Sequence, residues 1–171
     1  METAGVYAGD LVAAHRAACK IAAFYYRTPC HGTFEAMIVN AYPKDCDLIQ
    51  SENALIAFKQ SGYGIVSDDG VIVICTAART LGEHGLFSPG GVSYRKPGPN
   101  RALGNRELWI FAPHLTEDIV RQRYWSGYRL FFDADQLNHA LCQRLPTGAR
   151  VGVVPAAPMQ QLVFQCNGSS K

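Results

Sequence analysis

The stretch Ala36-Met37-Ile38-Val39-Asn40-Ala41-Tyr42-Pro43-Lys44-Asp45-Cys46-Asp47-Leu48-Ile49-Gln50 decides the fold class. Its opening, residues 36–39, is an unbroken apolar burst of the kind that fills a strand buried on both faces. Leu48-Ile49 and Leu55-Ile56 fall seven apart, as on one side of a helix. Between the two lies a polar junction. Pro43 sets the turn, and Asp45 or Asp47 can cap the helix by accepting from N–H groups of its first turn. A buried strand handing over to a helix through a short junction is the repeating unit of a parallel α/β sheet.

The same alternation runs through the chain. A first strand is expected over 36–41. The helix behind it opens at Asp45 or Cys46 and runs to about Gln60, where Gly62-Tyr63-Gly64 closes it. Asp68-Asp69-Gly70 reads as a turn into a second strand over 71–77. Further strands are expected over 107–112, 129–132 and 150–154. Thr116 caps a helix with Glu117 and Asp118 in its first turn, and another helix covers 134–144. Upstream, Asp10 caps a helix over 11–25. Leu11, Ala14, Ala18, Ile21, Ala22 and Tyr25 keep helical spacing there and predict a buried face, with His15 at its margin. Thr28-Pro29 and His31-Gly32 end it. The expectation is an α/β fold: a mainly parallel sheet of about five strands, helices on both faces, Rossmann-like and three-layered. Residues 1–171 read as a single domain, with a linking helix in 1–28, a long loop over 88–105 and a loose tail over 166–171.

Composition narrows the function. With 48% hydrophobic and 18% charged residues among 171, the chain can bury a core and is not of disordered type. A net charge of +2 argues against nucleic acid or a membrane surface as the main partner, even where Arg121-Gln122-Arg123-Tyr124-Trp125 interleaves basic and aromatic groups. No apolar run nears the ~20 residues that cross a bilayer. The N-terminal residues do not read as a secretory signal, so a cytoplasmic protein is expected. Six cysteines without a C-x-x-C pair fit reduced, mostly buried thiols.

Candidate site residues gather at the carboxyl ends of the expected strands, where open α/β sheets bind ligands. Gln50 and Asn53 share a helix face and interrupt an apolar stripe. Either they are amides tied to nearby backbone, or the stripe faces a polar ligand. Gly82-Glu83-His84-Gly85 follows the second strand, and His84 is either an acid–base or ligand group or an ordinary loop histidine. No second His or Cys stands at metal-ligand spacing beside it, so no metal site is expected. The long loop, Ser88-Pro89-Gly90-Gly91 onward, carries Arg95, Lys96 and Arg101, with Arg106 just after. These could hold a carboxylate or phosphate, or simply be solvated. The dinucleotide fingerprint, the P-loop and the G-x-S-x-G elbow are all missing.

Asn40-Ala41-Tyr42-Pro43-Lys44-Asp45, followed by Asp47-Leu48-Ile49-Gln50, resembles the C-terminal domain of the nickel-dependent lactate racemase family. Ala8-Gly9-Asp10 before Ala14-His15-Arg16, Gly70 before Gly82-Glu83-His84-Gly85, and Ala112-Pro113-His114-Leu115 resemble the same family in the same order. The resemblance runs from about Val6 to Pro158. It implies racemisation or epimerisation of a 2-hydroxy acid, by a hydride passed to a nickel-pincer nucleotide and back. It also implies that the cofactor, the nickel-binding histidine and the acid–base histidine pair sit on a separate N-terminal domain. This segment would then hold no catalytic residue, no metal and no cofactor of its own, and would be inactive alone. Gln50 matches the family's substrate-side glutamine. Asn53 stands where several members carry lysine, so a neutral donor replaces a cation, and the substrate carboxylate would be met elsewhere, by Arg95, Lys96 or Arg101. Trp125 is a candidate for a substrate-side tryptophan. The expected partners are that N-terminal domain and a small 2-hydroxy acid. Two other readings compete: a stand-alone α/β small-ligand binding module without catalysis, and an unrelated small enzyme using His84.

Overall fold

The computed structural model describes residues 3–58, 62–82, 87–88, 92–93, 98–121 and 126–165. Along the chain come α1 (Leu11–Tyr26), β1 (Arg27–His31), β2 (Phe34–Asn40), the single turn α2 (Leu48–Ser51) and a 3-10 helix, Glu52–Phe58. A second 3-10 helix, Gly62–Ile65, leads into β3 (Val66–Cys75), followed by β4 (Phe87–Ser88) and β5 (Val92–Ser93). Then come β6 (Glu107–Phe111), α3 (Glu117–Arg121), β7 (Tyr128–Phe131), α4 (Ala134–Arg144), β8 (Val151–Val154) and β9 (Gln161–Gln165).

Five strands make one parallel sheet in the order β7-β6-β3-β2-β8. The chain steps outward from β2 through β3 and β6 to β7, then returns to lay β8 on the far side of β2. The direction of winding therefore switches between β2 and β8. The expected α/β fold stands, and the sheet is apolar on both faces. Met37, Val39, Ile72 and Ile74 point to a layer built by the 3-10 helices Glu52–Phe58 and Ala157–Met159. Leu48, Leu115 and Val120 extend that layer over Ile110. Ala36, Val71, Val73 and Trp109 point the other way, under Leu137, Ala140 and Leu141 of α4.

Several sequence expectations need correction. The helix expected from Asp45 or Cys46 to Gln60 is one α-turn followed by 3-10 helix, with residues 59–60 outside the described residues. Asp68-Asp69-Gly70 lies inside β3, where a single residue of β2 (Glu35) separates two register pairs that four residues of β3 (Ser67 to Gly70) separate. The three residues form a bulge, and Gly70 is needed there: a Cβ would stand 2.8 Å from the Glu35 carbonyl oxygen. The segment expected to end the first helix is β1. It pairs in parallel with β9, which lies ahead of the tail expected over 166–171 in a stretch given no structure from sequence. The long loop contains a short antiparallel pair, β4 with β5.

Helix α1 forms as expected, with the Asp10 carboxylate accepting from Ala13 N–H at 2.9 Å. No residue of its apolar stripe is fully buried, Ala14, Ala18 and Ala22 being half-buried and Leu11, Ile21 and Tyr25 exposed, which corrects the expected buried face. Cysteine burial is corrected too. Among the described residues Cys30 is buried and Cys75 half-buried, while Cys19, Cys46 and Cys142 are exposed, all as free thiols. No described helix is long and apolar enough to cross a membrane.

Candidate functional site

Because the five strands are parallel, their carboxyl ends share one edge, and the polar junction emerges there beside the β2–β8 switch. This is the crevice where doubly wound sheets take ligands. Asn40 closes β2 and its side-chain oxygen accepts from Tyr42 N–H at 3.3 Å. Tyr42, joined to Pro43 by a cis peptide bond, is 57% exposed.

Asp47 organises the junction. Its Oδ1 accepts from Gln50 N–H at 2.8 Å, so Asp47, rather than Asp45 or Cys46, is the cap of α2. The N–H groups of Leu48 and Ile49 reach the carbonyls of Thr80 and Leu81, at 3.0 and 3.2 Å. The first turn of α2 is thereby occupied by protein, and no free amide is left at its end for an anion. The contact also pins the segment after β3 against α2. Gly82, at φ +90, packs so closely that an added Cβ would lie 2.5 Å from the Asp47 carboxyl carbon. The run Gly82-Glu83-His84-Gly85 thus starts against the cap of the helix that carries Gln50.

Sequence reading missed the pair that locks this corner. Ser51 Oγ donates to the Asp47 carbonyl at 2.8 Å and lies 2.6 Å from Thr76 Oγ1, which accepts from Ala78 N–H at 3.1 Å. Both side chains are buried. A buried hydroxyl without a partner costs about 1–3 kcal/mol, so this satisfied pair fixes α2 on the end of β3. The available signal was weak: a serine one turn past an acidic cap, and a threonine closing an apolar strand.

Gln50 and Asn53 are brought together, both half-buried. Asn53 Nδ2 donates to the Gln50 carbonyl at 2.9 Å and to its Oε1 at 3.1 Å. Both hydrogens of the Asn53 amide are thereby used on Gln50. His84, Arg95, Lys96 and Trp125 lie outside the described residues. Arg101 is exposed in a 3-10 turn. Arg106 holds the carbonyls of Val66 and Leu103 and the carboxylate of Asp68 (2.7 Å). It stands at the amino end of β6, on the edge opposite the junction, and serves the fold. At the carboxyl edge the exposed polar groups include Arg79, after β3, and His114, after β6. Neither was singled out as a ligand-binding group from sequence.

One structural comparison accounts for this architecture. The chain superposes on the lactate racemase apoprotein of Thermoanaerobacterium thermosaccharolyticum with a TM-score of 0.61, over 88% of its residues. The fold is shared with a lactate racemase. Sequence identity is 13%, and the chain spans 40% of the length of that protein. No protein-family model matches the chain, and no curated protein sequence matches it. The likeness concerns the fold.

Among the described residues no three His, Cys, Asp or Glu side chains gather where they could hold an ion. The described polar groups of the carboxyl edge include the Gln50 and Asn53 amides, the Tyr42 phenol, Arg79 and His114, and such groups can orient a small polar molecule.

Proposed function

We propose that this chain is the substrate-side domain of a 2-hydroxyacid racemase or epimerase whose nickel-pincer nucleotide is carried by another, N-terminal domain. The observation that carries the reading is the position of Gln50. In a fold shared with a lactate racemase, Gln50 lies in the single α-turn that follows the β2 junction at the carboxyl edge, and Asn53 takes its Oε1 as acceptor. The Gln50 side-chain nitrogen makes no hydrogen bond among the described residues. That leaves a donor for the hydroxyl or carboxylate oxygen of a 2-hydroxy acid.

In this reading Asn53 is a positioning residue that fixes the Gln50 carboxamide. The substrate carboxylate is met by a cation: Arg79, exposed at the carboxyl edge, or Arg95 or Lys96, which, like His84, lie outside the described residues. The chain supplies recognition and exclusion of water, while the chemistry of the hydride and the acid–base pair belongs to the partner domain.

The test is racemisation of a panel of 2-hydroxy acids by the native polypeptide that contains this segment, made in cells that also synthesise the pincer cofactor. Turnover with bound nickel, falling tenfold or more on Gln50→Ala, is the expected result. No nickel and no turnover across the panel would reject the reading and leave a small-ligand binding module built on the same fold.

A further inference from the structure

Two segments meet at one corner of the carboxyl edge: α2, and the stretch 76–82 that leaves β3. Gln50 stands on the first and Arg79 on the second, and each is bracketed by residues tied to the opposite segment. Before Gln50, Ile49 N–H donates to the Leu81 carbonyl at 3.2 Å; after it, Ser51 Oγ lies 2.6 Å from Thr76 Oγ1. Before Arg79, Ala78 N–H donates to Thr76 Oγ1 at 3.1 Å; after it, the Thr80 carbonyl accepts from Leu48 N–H at 3.0 Å. The backbone on both sides of the two residues is thereby fixed. Their side chains are left for other use: Arg79 is exposed and its guanidinium makes no hydrogen bond or ion pair among the described residues.

The hydroxyl protons of this corner can be placed. Ser51 gives its proton to the Asp47 carbonyl at 2.8 Å, so Thr76 donates to Ser51 Oγ and keeps a lone pair for Ala78 N–H. One hydroxyl thus joins the residue after Gln50 to the residue before Arg79. Ser51 is 0% and Thr76 3% exposed, so water does not compete for the bond.

We infer that Thr76 is a positioning residue that sets the register between Gln50 and Arg79, and so selects acids whose hydroxyl and carboxylate stand on adjacent carbons. The inference rests on the racemase reading for the role of Gln50, and it commits to Arg79 as the cation that meets the carboxylate. The Gln50 carboxamide meets the hydroxyl. A guanidinium takes a carboxylate through two parallel hydrogen bonds, which fix direction as well as distance. With the hydroxyl's partner on a separate segment, the spacing of two groups in the ligand is measured by the spacing of two segments in the protein. A 3-hydroxy acid, with its hydroxyl one carbon farther off, leaves one of the two partners unmet, and an unmet polar group is what a site rejects most strongly. Without the Thr76 bond the register loosens and the discrimination falls.

Calorimetric affinities of the native polypeptide that contains this segment test it, with lactate and its 3-hydroxy isomer, 3-hydroxypropanoate, as probes. Wild type should prefer lactate, and Arg79→Ala should weaken lactate tenfold or more. Thr76→Val should lower the preference threefold or more while leaving affinity for the 3-hydroxy acid unchanged, and Thr76→Ser should restore it. Ser51→Ala removes the same bond and serves as the second variant should Thr76→Val fail to fold. Binding is read without turnover, so a protein that binds and discriminates but does not racemise rejects the racemase reading alone. A wild type that binds neither acid or prefers neither would overturn the inference. So would Arg79→Ala with wild-type affinity, or folded Thr76 and Ser51 variants that keep the preference or weaken both acids equally.

Discussion

Asn53 Nδ2 lies 2.9 Å from the backbone oxygen of Gln50 and 3.1 Å from its side-chain oxygen, so one amide holds another by two bonds. A half-buried hydrogen bond of this kind contributes about 0.5–1.5 kcal/mol. Asn53→Ala should therefore lower stability by about that amount in urea unfolding. Under the proposed function it should also raise KM several-fold, because the Gln50 carboxamide is then free to rotate. An Asn53→Ala enzyme with unchanged KM would show that Gln50 is positioned by something else.

Gly82 meets Asp47 in a way no other residue type permits. At φ +90 any side chain is strained, and a Cβ would collide with the carboxyl group that caps α2. The conformational term alone is about 1–2 kcal/mol, and displacing the cap adds about 1 more. Gly82→Ala should thus destabilise by roughly 2–3 kcal/mol in denaturant. Asp47→Ala in the same background should add little, since the two share one contact.

Acid sensitivity should centre on Glu107. Burial raises its pKa, but hydrogen bonds from Arg144 (2.5 Å) and Trp109 (2.9 Å) outweigh that and hold the carboxyl below its usual value. A folded-state pKa below the unfolded one stabilises at pH above the ordinary glutamate value of ~4.3 and is lost as pH falls through the folded value. Urea midpoints of wild type and Glu107→Gln should differ by a constant amount above about pH 5 and converge below it. Curves that stay parallel into acid would place the effect elsewhere.

The thiols should divide by accessibility. Burial pushes Cys75 up to about 11 and also raises Cys30. At pH near 8, Cys19, Cys46 and Cys142 should react quickly with a disulfide reagent, while Cys75 and Cys30 react only on unfolding. The raised Cys75 pKa favours the folded state below the ordinary thiol value of ~8.5 and loses that contribution as pH climbs toward 11. Early labelling of Cys75 would mean the sheet opens locally at its carboxyl edge.

How much of this was legible varies from element to element. The burst at 36–39 and the helix over 134–144 were readable because each is set by a local pattern: continuous apolar residues, or an Asp133 cap before an amphipathic run. Strand β1 was not. Arg-Thr-Pro-Cys-His has no strand pattern, and it extends only because β9, 134 residues away at the matched pair Arg27↔Gln161, offers its backbone. The α2 region was read as a full helix, yet it tightens to 3-10 after one turn. Its course is set by contacts with Thr80, Leu81 and Thr76 rather than by propensity.

The sequence by itself determined an α/β domain with a parallel sheet, and put Gln50 at the carboxyl edge of its first sheet strand. Those follow from periodicity and from the rule that parallel strands share an edge. Tertiary structure alone decided that Asp47 is the cap, that Ser51 and Thr76 lock the corner, and that β1 pairs with β9. Each of these depends on which surfaces meet, and a one-dimensional pattern records which residues want burial without recording what will bury them.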